Sequence, residues 1–247
     1  MKRYLNILAL LLIVAACTNK HPTKLSIAQK NPSQNCDCTK DTLLAQIISC
    51  EPISLDNGAK LYWNYNCDSS WITFENRNRE KKTIFTLGDG LVQLTNRLGH
   101  TSFQEFRTTF LYTNRVISGC CDPDDYYLYS KASGKLIKKI GTAIYVSDNS
   151  QIPFVVSVAN RSHIQKFDFN SLTLYNVDTQ KSFRIKIKKG EIEKGMKNNN
   201  YMFPEYIFDN PTIHGQILTI KYFTEKYIKG VNLKYKTIKI DLKQYNR

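Results

Sequence analysis

The chain has 247 residues, 42% of them hydrophobic, and a formal net charge of +14 at pH 7. That length allows one large domain or two small ones with a real hydrophobic core, so disulfides are helpful but not obligatory. Plentiful Tyr, Phe and Ile beside few Ala or Met favour strands over helices.

The first predicted element is a leader, in which Lys2 and Arg3 precede the apolar run Ile7 to Val14 and the tetrapeptide Val14-Ala15-Ala16-Cys17. A charged start, a short apolar stretch and small residues before a cut site describe a secretory signal. With the cysteine directly after Ala15-Ala16, the pattern resembles the lipobox of bacterial lipoproteins. The resemblance covers the leader only. It implies a signal peptide over residues 1–16, a diacylglycerol thioether on Cys17 and an acylated, palmitate-type new amino terminus. The apolar run is too short to span a bilayer, which takes about 20 residues, so the expected membrane partner is reached by a lipid anchor. The competing reading is an ordinary secretory signal that leaves Cys17 as a thiol. Thr18 stands where some inner-membrane lipoproteins carry aspartate, which favours the outer membrane and leaves its periplasmic and surface faces both open.

Without Lys2 and Arg3 the chain is still strongly basic. The expected compartment argues against nucleic acid and leaves an anionic lipid, an acidic glycan or an acidic protein as partners for that charge. The competing explanation is that lysines keep a β-rich surface soluble and unaggregated.

Residues 17–35 read as a lipidated tether, polar and without apolar periodicity, with an r.m.s. span of roughly 25 Å. Residues 36–247 read as a single β-rich domain. Thr39 to Ser49 is the best helix candidate, with Leu43, Leu44, Ile47 and Ile48 on one face and Thr39 or Asp41 as N-cap. Asp56-Asn57-Gly58 between apolar runs predicts a hairpin with a type I′ turn. Further hairpins are expected around Arg77 to Lys82, Ala132-Ser133-Gly134 and Asp178-Thr179-Gln180. Phe183, Ile185 and Ile187 alternate with Arg184, Lys186 and Lys188, giving one apolar and one cationic face. Ile238, Ile240 and Leu242 repeat that alternation. Lys188 to Asn200, with two glycines and three asparagines in a row, reads as a surface loop.

Tyr145 to Ile152 echoes Tyr206 to Ile213 at an offset of 61, which suggests a weak repeat over about 145–185 and 206–243. A second echo sets Leu128-Tyr129 with Lys135 against Leu174-Tyr175 with Lys181. The fold class is therefore all-β, mainly antiparallel, with one short N-terminal helix in a propeller-like or β-sandwich architecture.

Cys36, Cys38, Cys50, Cys67, Cys120 and Cys121 are an even set in an exported chain, so up to three disulfides are expected, with the Cys36 to Cys50 segment stapled to the body by Cys67 and the Cys120/Cys121 pair. A four-thiolate metal site from Cys36, Cys38, Cys120 and Cys121 is the rival, and its spacing does not fit a standard zinc knuckle. No metal or other cofactor is expected. Asp122, Asp124 and Asp125 form an acidic loop that suits a turn, Ca²⁺ or glycan chemistry. The histidines His21, His100, His163 and His214 are isolated, and the alternation of Leu61, Trp63 and Tyr65 places them in a core. No catalytic motif stands out, so two readings remain: an envelope module that binds a protein, glycan or lipid, and an envelope glycan hydrolase using the acidic loop.

Overall fold

The computed structural model describes residues 36–88, 90–98, 103–114, 123–147, 153–158, 169–209, 211–226, 228 and 234–245. Cys17, the tether, Cys120, Cys121, Asp122, His21, His100 and His163 lie outside the described residues. Among the described residues four antiparallel sheets follow one another, and in each the strand order is the chain order.

The first sheet contains β1 (Ile53–Ser54), β2 (Lys60–Tyr65), β3 (Ser70–Glu75) and β4 (Lys81–Leu87), and the second β5 (Phe103–Glu105), β6 (Thr109–Asn114), β7 (Asp125–Ser130) and β8 (Leu136–Thr142). The third is built from β9 (Tyr145–Val146), β10 (Phe154–Val158), β11 (Ser171–Asn176) and β12 (Ser182–Lys186), the fourth from β13 (Thr212–His214), β14 (Ile217–Tyr222) and β15 (Lys236–Asp241). Every sheet opens on a strand of two or three residues. This succession of four small meanders is all-β and mainly antiparallel, as expected.

Side-chain alternation explains how the sheets stack. In β6, Phe110 and Tyr112 join the core of the first sheet, while Leu111 between them packs with Val155 and Tyr175 of the third. In β10, Phe154, Val156 and Val158 pack toward the fourth sheet and Val155 toward the second. The two middle sheets thus bury both faces, which is why these strands are continuous apolar runs. β12 behaves as its alternation predicts: Ile185 is buried with Leu218 and Ile220, and Arg184 and Lys186 are exposed.

The turns refine the sequence reading. Leu55 N–H donates to the Ala59 carbonyl at 2.8 Å and Gly58 N–H to the Leu55 carbonyl at 2.9 Å, with Gly58 at φ +81°. Asn57 is not left-handed, so the hairpin is a three-residue loop ending in one left-handed residue, not a type I′ turn. The second echo is structural: Ser130 N–H donates to Lys135 O in one hairpin and Asn176 N–H to Lys181 O in the other. The offset of 61 is not, because Tyr145 begins β9 whereas Tyr206 lies in a 3-10 turn, Pro204–Ile207. The repeating unit is the sheet, and unequal loops break any constant period.

Helix α1 is a single turn, Leu44–Ile47, with Leu44 and Ile48 buried but Leu43 62% exposed. Asp41 caps the preceding turn by accepting from Leu43 N–H at 3.0 Å. The longest helix among the described residues, α2 (Glu191–Asn199), occupies the segment read as a loop. Its apolar stripe is short, Ile192 and Met196 at i and i+4, with Gly195 between them. Acidic Glu191 and Glu193 suit its first turn, and Asn200 ends it in the left-handed region at φ 54°. Burial pushes the Glu191 carboxyl up, but hydrogen bonds from Lys236 and Tyr222 outweigh this and hold it below its ordinary value.

Gly195 is what lets α2 dock. A Cβ there would stand 2.7 Å from the Phe223 carbonyl oxygen and 3.0 Å from Ile207. Gly195→Ala should therefore destabilise by about 1–3 kcal/mol, against the helix-propensity gain of about 1 kcal/mol that an unhindered site would give. A raised midpoint in urea unfolding would contradict this packing.

Candidate binding cleft

The N-terminal part of the domain is held by two disulfides, Cys36–Cys50 and Cys38–Cys67. Cys67 does staple the segment to the body, as expected, through the turn between β2 and β3. Cys36 and Cys50 bond each other, so neither reaches the Cys120/Cys121 pair, and the segment closes on itself. Both cysteines of Cys36-Asp37-Cys38 are oxidised, which removes the thiolates on which the metal alternative depended.

These bonds fix how the chain enters the first sheet. Beyond Cys50 it passes through Glu51 and Pro52 into β1, which pairs with β2 only at Ile53↔Leu61 and Ser54↔Lys60. Farther along the same edge, Cys36 forms a parallel bridge with Tyr65. A cleft of about 240 Å³ opens in this region, lined by Ser49, Glu51, Pro52 and Ile53 against Leu61, Tyr62, Trp63 and Phe103.

The cleft has a stiff, apolar floor and a mixed rim of polar and apolar residues. Leu61 and Trp63 are buried, whereas Ser49, Glu51, Pro52 and Ile53 are exposed. Behind the floor, Trp63 meets Phe85 edge-on with centroids 6.0 Å apart, and Phe103 stacks on Tyr112 at 5.4 Å. Such an aromatic cluster resists rearrangement. The Tyr112 hydroxyl is fully buried, and burial drives its phenol strongly toward the neutral form. Tyr62 donates its hydroxyl to Glu75 at 3.0 Å, and burial followed by that carboxylate raises its pKa. The arrangement presents apolar surface and, among its lining residues, a single rim carboxylate, Glu51.

The acidic loop is arranged differently. Asp125 is the first residue of β7, paired in register with Asn114 and Thr142. Asp124 is half-buried beside it, and Asp122 is outside the described residues. Among the described residues no group of three His, Cys, Asp or Glu side chains is placed to hold a metal ion. His214 lies exposed on β13.

Comparison with protein-family models, curated proteins and solved structures finds no match for this chain. Its site must be read from its own residues.

The cations gather on the outermost strand of each sheet: Lys81 and Lys82 on β4, Lys138 and Lys139 on β8, Arg184 and Lys186 on β12, Lys236 and Lys239 on β15. Lysine on an exposed edge opposes pairing with another chain. Several also lie against neighbours, as Lys138 does over the Tyr175 ring at 4.4 Å and beside Ser182 Oγ at 3.2 Å. These eight of the 35 Lys and Arg residues are explained by their edge positions.

Of the cleft residues, the sequence reading singled out Leu61 and Trp63, as core. It missed Glu51, Ile53 and Phe103, because Phe103 belongs to another sheet and the other two acquire meaning only from the disulfide at Cys50.

Proposed function

We propose that this protein is a lipid-anchored, extracytoplasmic binding module whose contact site is the cleft between Glu51-Pro52-Ile53 and Trp63-Phe103. The observation that carries the reading is a small aromatic-floored cleft with one carboxylate at its rim. Its volume, below the 300–1,000 Å³ usual for small-molecule sites, suits one inserted apolar side chain of a protein partner. Glu51 would favour a cation beside that side chain. Disulfides belong to oxidising compartments, and no helix among the described residues is long and apolar enough to cross a membrane. Both fit a cell-envelope domain attached through acylated Cys17, facing either the periplasm or the outside.

Panning a random peptide library on the purified protein tests the reading. Enriched peptides should pair an aromatic or long aliphatic residue with Lys or Arg, Ile53→Asp should abolish their binding, and Glu51→Lys should reverse the charge preference. Enriched peptides that bind Ile53→Asp undiminished would overturn it, as would the absence of any enrichment. Metabolic labelling with a palmitate analogue tests the anchor separately, with Cys17→Ser expected to lose the label.

A further inference from the structure

The fourth sheet carries a second surface, remote in sequence from the cleft. After α2 the chain runs Tyr201-Met202-Phe203-Pro204-Glu205-Tyr206, and this segment leaves apolar groups in solvent: Met202 is 80% exposed and Tyr206 40%. Tyr201 meets Tyr206 at 5.9 Å and Phe223 at 6.3 Å, and Phe223 meets Tyr235, itself 41% exposed, at 6.0 Å. Phe223 is itself buried, so the exposed Met202 and Tyr206 on one side and Tyr235 on the other are joined through a ring beneath the surface. Asn199 Nδ2 donates to the Glu225 carbonyl at 3.0 Å and Asn198 Nδ2 to that of Thr224 at 2.6 Å, so the end of α2 and the strand exit after β14 border the same patch. Exposed lysines lie on these bordering segments: Lys194 and Lys197 on α2, Lys226 after β14, and Lys234 beside Tyr235.

We infer that this patch is a membrane-interface contact, in which Met202, Tyr206 and Tyr235 enter the headgroup region of a bilayer and the lysines pair with anionic headgroups. Tyrosine is suited to that depth, with an apolar ring and a polar tip. Lysine stems can lie along the apolar boundary while their ammonium groups reach phosphate. Met202, Tyr206 and Tyr235 are exposed around one group of rings, and apolar groups gathered in this way mark a contact surface more than singly scattered ones do. Glu193 and Glu225 are also exposed on these segments, but the four lysines outnumber them, and this excess of positive charge selects an anionic bilayer over a neutral one. Nothing here requires the acyl chain on Cys17 or the cleft reading, although an anchored domain would meet this surface at high effective concentration.

The test uses the full chain bound to vesicles of phosphatidylcholine with phosphatidylglycerol, the acyl chains brominated in one set. In Met202→Trp, the fluorescence of the added indole, after subtraction of the parent signal from Trp63 and Trp71, should be strongly quenched by brominated lipid. In Ser133→Trp, an indole on the exposed β7–β8 turn should remain unquenched. Lys194→Glu with Lys226→Glu should weaken binding at least about tenfold. An indole at position 202 that stays unquenched on vesicles carrying bound protein overturns the proposal and leaves the patch to a protein partner; equal quenching at positions 202 and 133 overturns it also. Either result would leave the peptide and palmitate tests untouched.

Discussion

Replacing Asp56 with Asn together with Glu105 with Gln should lower the unfolding free energy by about 3–5 kcal/mol, although neither carboxylate is itself in a core. The reason is Lys131, only 1% exposed, whose Nζ lies 2.5 Å from Asp56 Oδ1 and 2.8 Å from Glu105 Oε1. Asp56 belongs to the first sheet's opening hairpin, Glu105 to β5 and Lys131 to the β7–β8 turn, so the trio fastens the first sheet to the second. Without the two acids an ammonium stays buried with its charge uncompensated. Adding Lys131→Met should then recover most of the loss, because a thioether of similar length carries no charge. If the triple variant were as unstable as the double, the cause would be altered packing and not buried charge.

The same group predicts acid sensitivity. Hydrogen bonding to Lys131 is the largest influence holding the Asp56 carboxyl below its ordinary value of 3.8, and Glu191 is likewise held below 4.5. A carboxyl lowered on folding stabilises fully above its unfolded pKa, and that contribution is lost as pH falls through the folded value. Urea midpoints should therefore be steady down to about pH 5 and fall progressively below about pH 4. Asp56→Asn should flatten part of that slope; an unaltered slope in the variant would remove Asp56 from the explanation.

How far the fold could be read from the sequence followed the range of the forces involved. Hairpins were legible because their determinants are local: β12 and the residue after it sort Ile185 and Ile187 from Arg184 and Lys186 by alternation alone, and the Leu128-Tyr129 and Leu174-Tyr175 echo marks equivalent hairpins. Helix α2 was hidden because its stability comes from docking, with Gly195 chosen for closeness to Phe223 at the expense of propensity. In the reverse case, the local pattern at Thr39 to Ser49 promises more helix than the disulfide-tied segment allows, and one turn remains. The type I′ expectation failed for a similar reason: Asn57 uses its side chain, donating Nδ2 to the Lys131 carbonyl and accepting from Ala59 N–H, and the backbone need not become left-handed there. The cleft was the least legible feature. Trp63 and Phe103 are brought together by sheet stacking, and no pattern along one strand encodes that.

Removing the disulfides singly should separate stability from binding. Cys38→Ala with Cys67→Ala opens a loop with a sequence separation of 29 and should cost about 3–4 kcal/mol. Cys38 is also buried against the core that holds Leu44 and Ile48, so the loss should appear across the whole unfolding transition. The Cys36–Cys50 bond spans 14 residues and is expected to contribute about 3 kcal/mol at most. Its geometry gives it another consequence. Ser49, Glu51, Pro52 and Ile53 flank Cys50 and form one wall of the cleft, while β1 secures that wall through only two paired residues. Cys36→Ala with Cys50→Ala should therefore speed hydrogen exchange over residues 43–53 and weaken capture of the selected peptides by at least about tenfold, even where urea unfolding remains cooperative. Unchanged exchange and undiminished peptide capture in that variant would mean that Cys38–Cys67 alone positions the wall, and that the Cys36–Cys50 bond has no part in shaping the cleft.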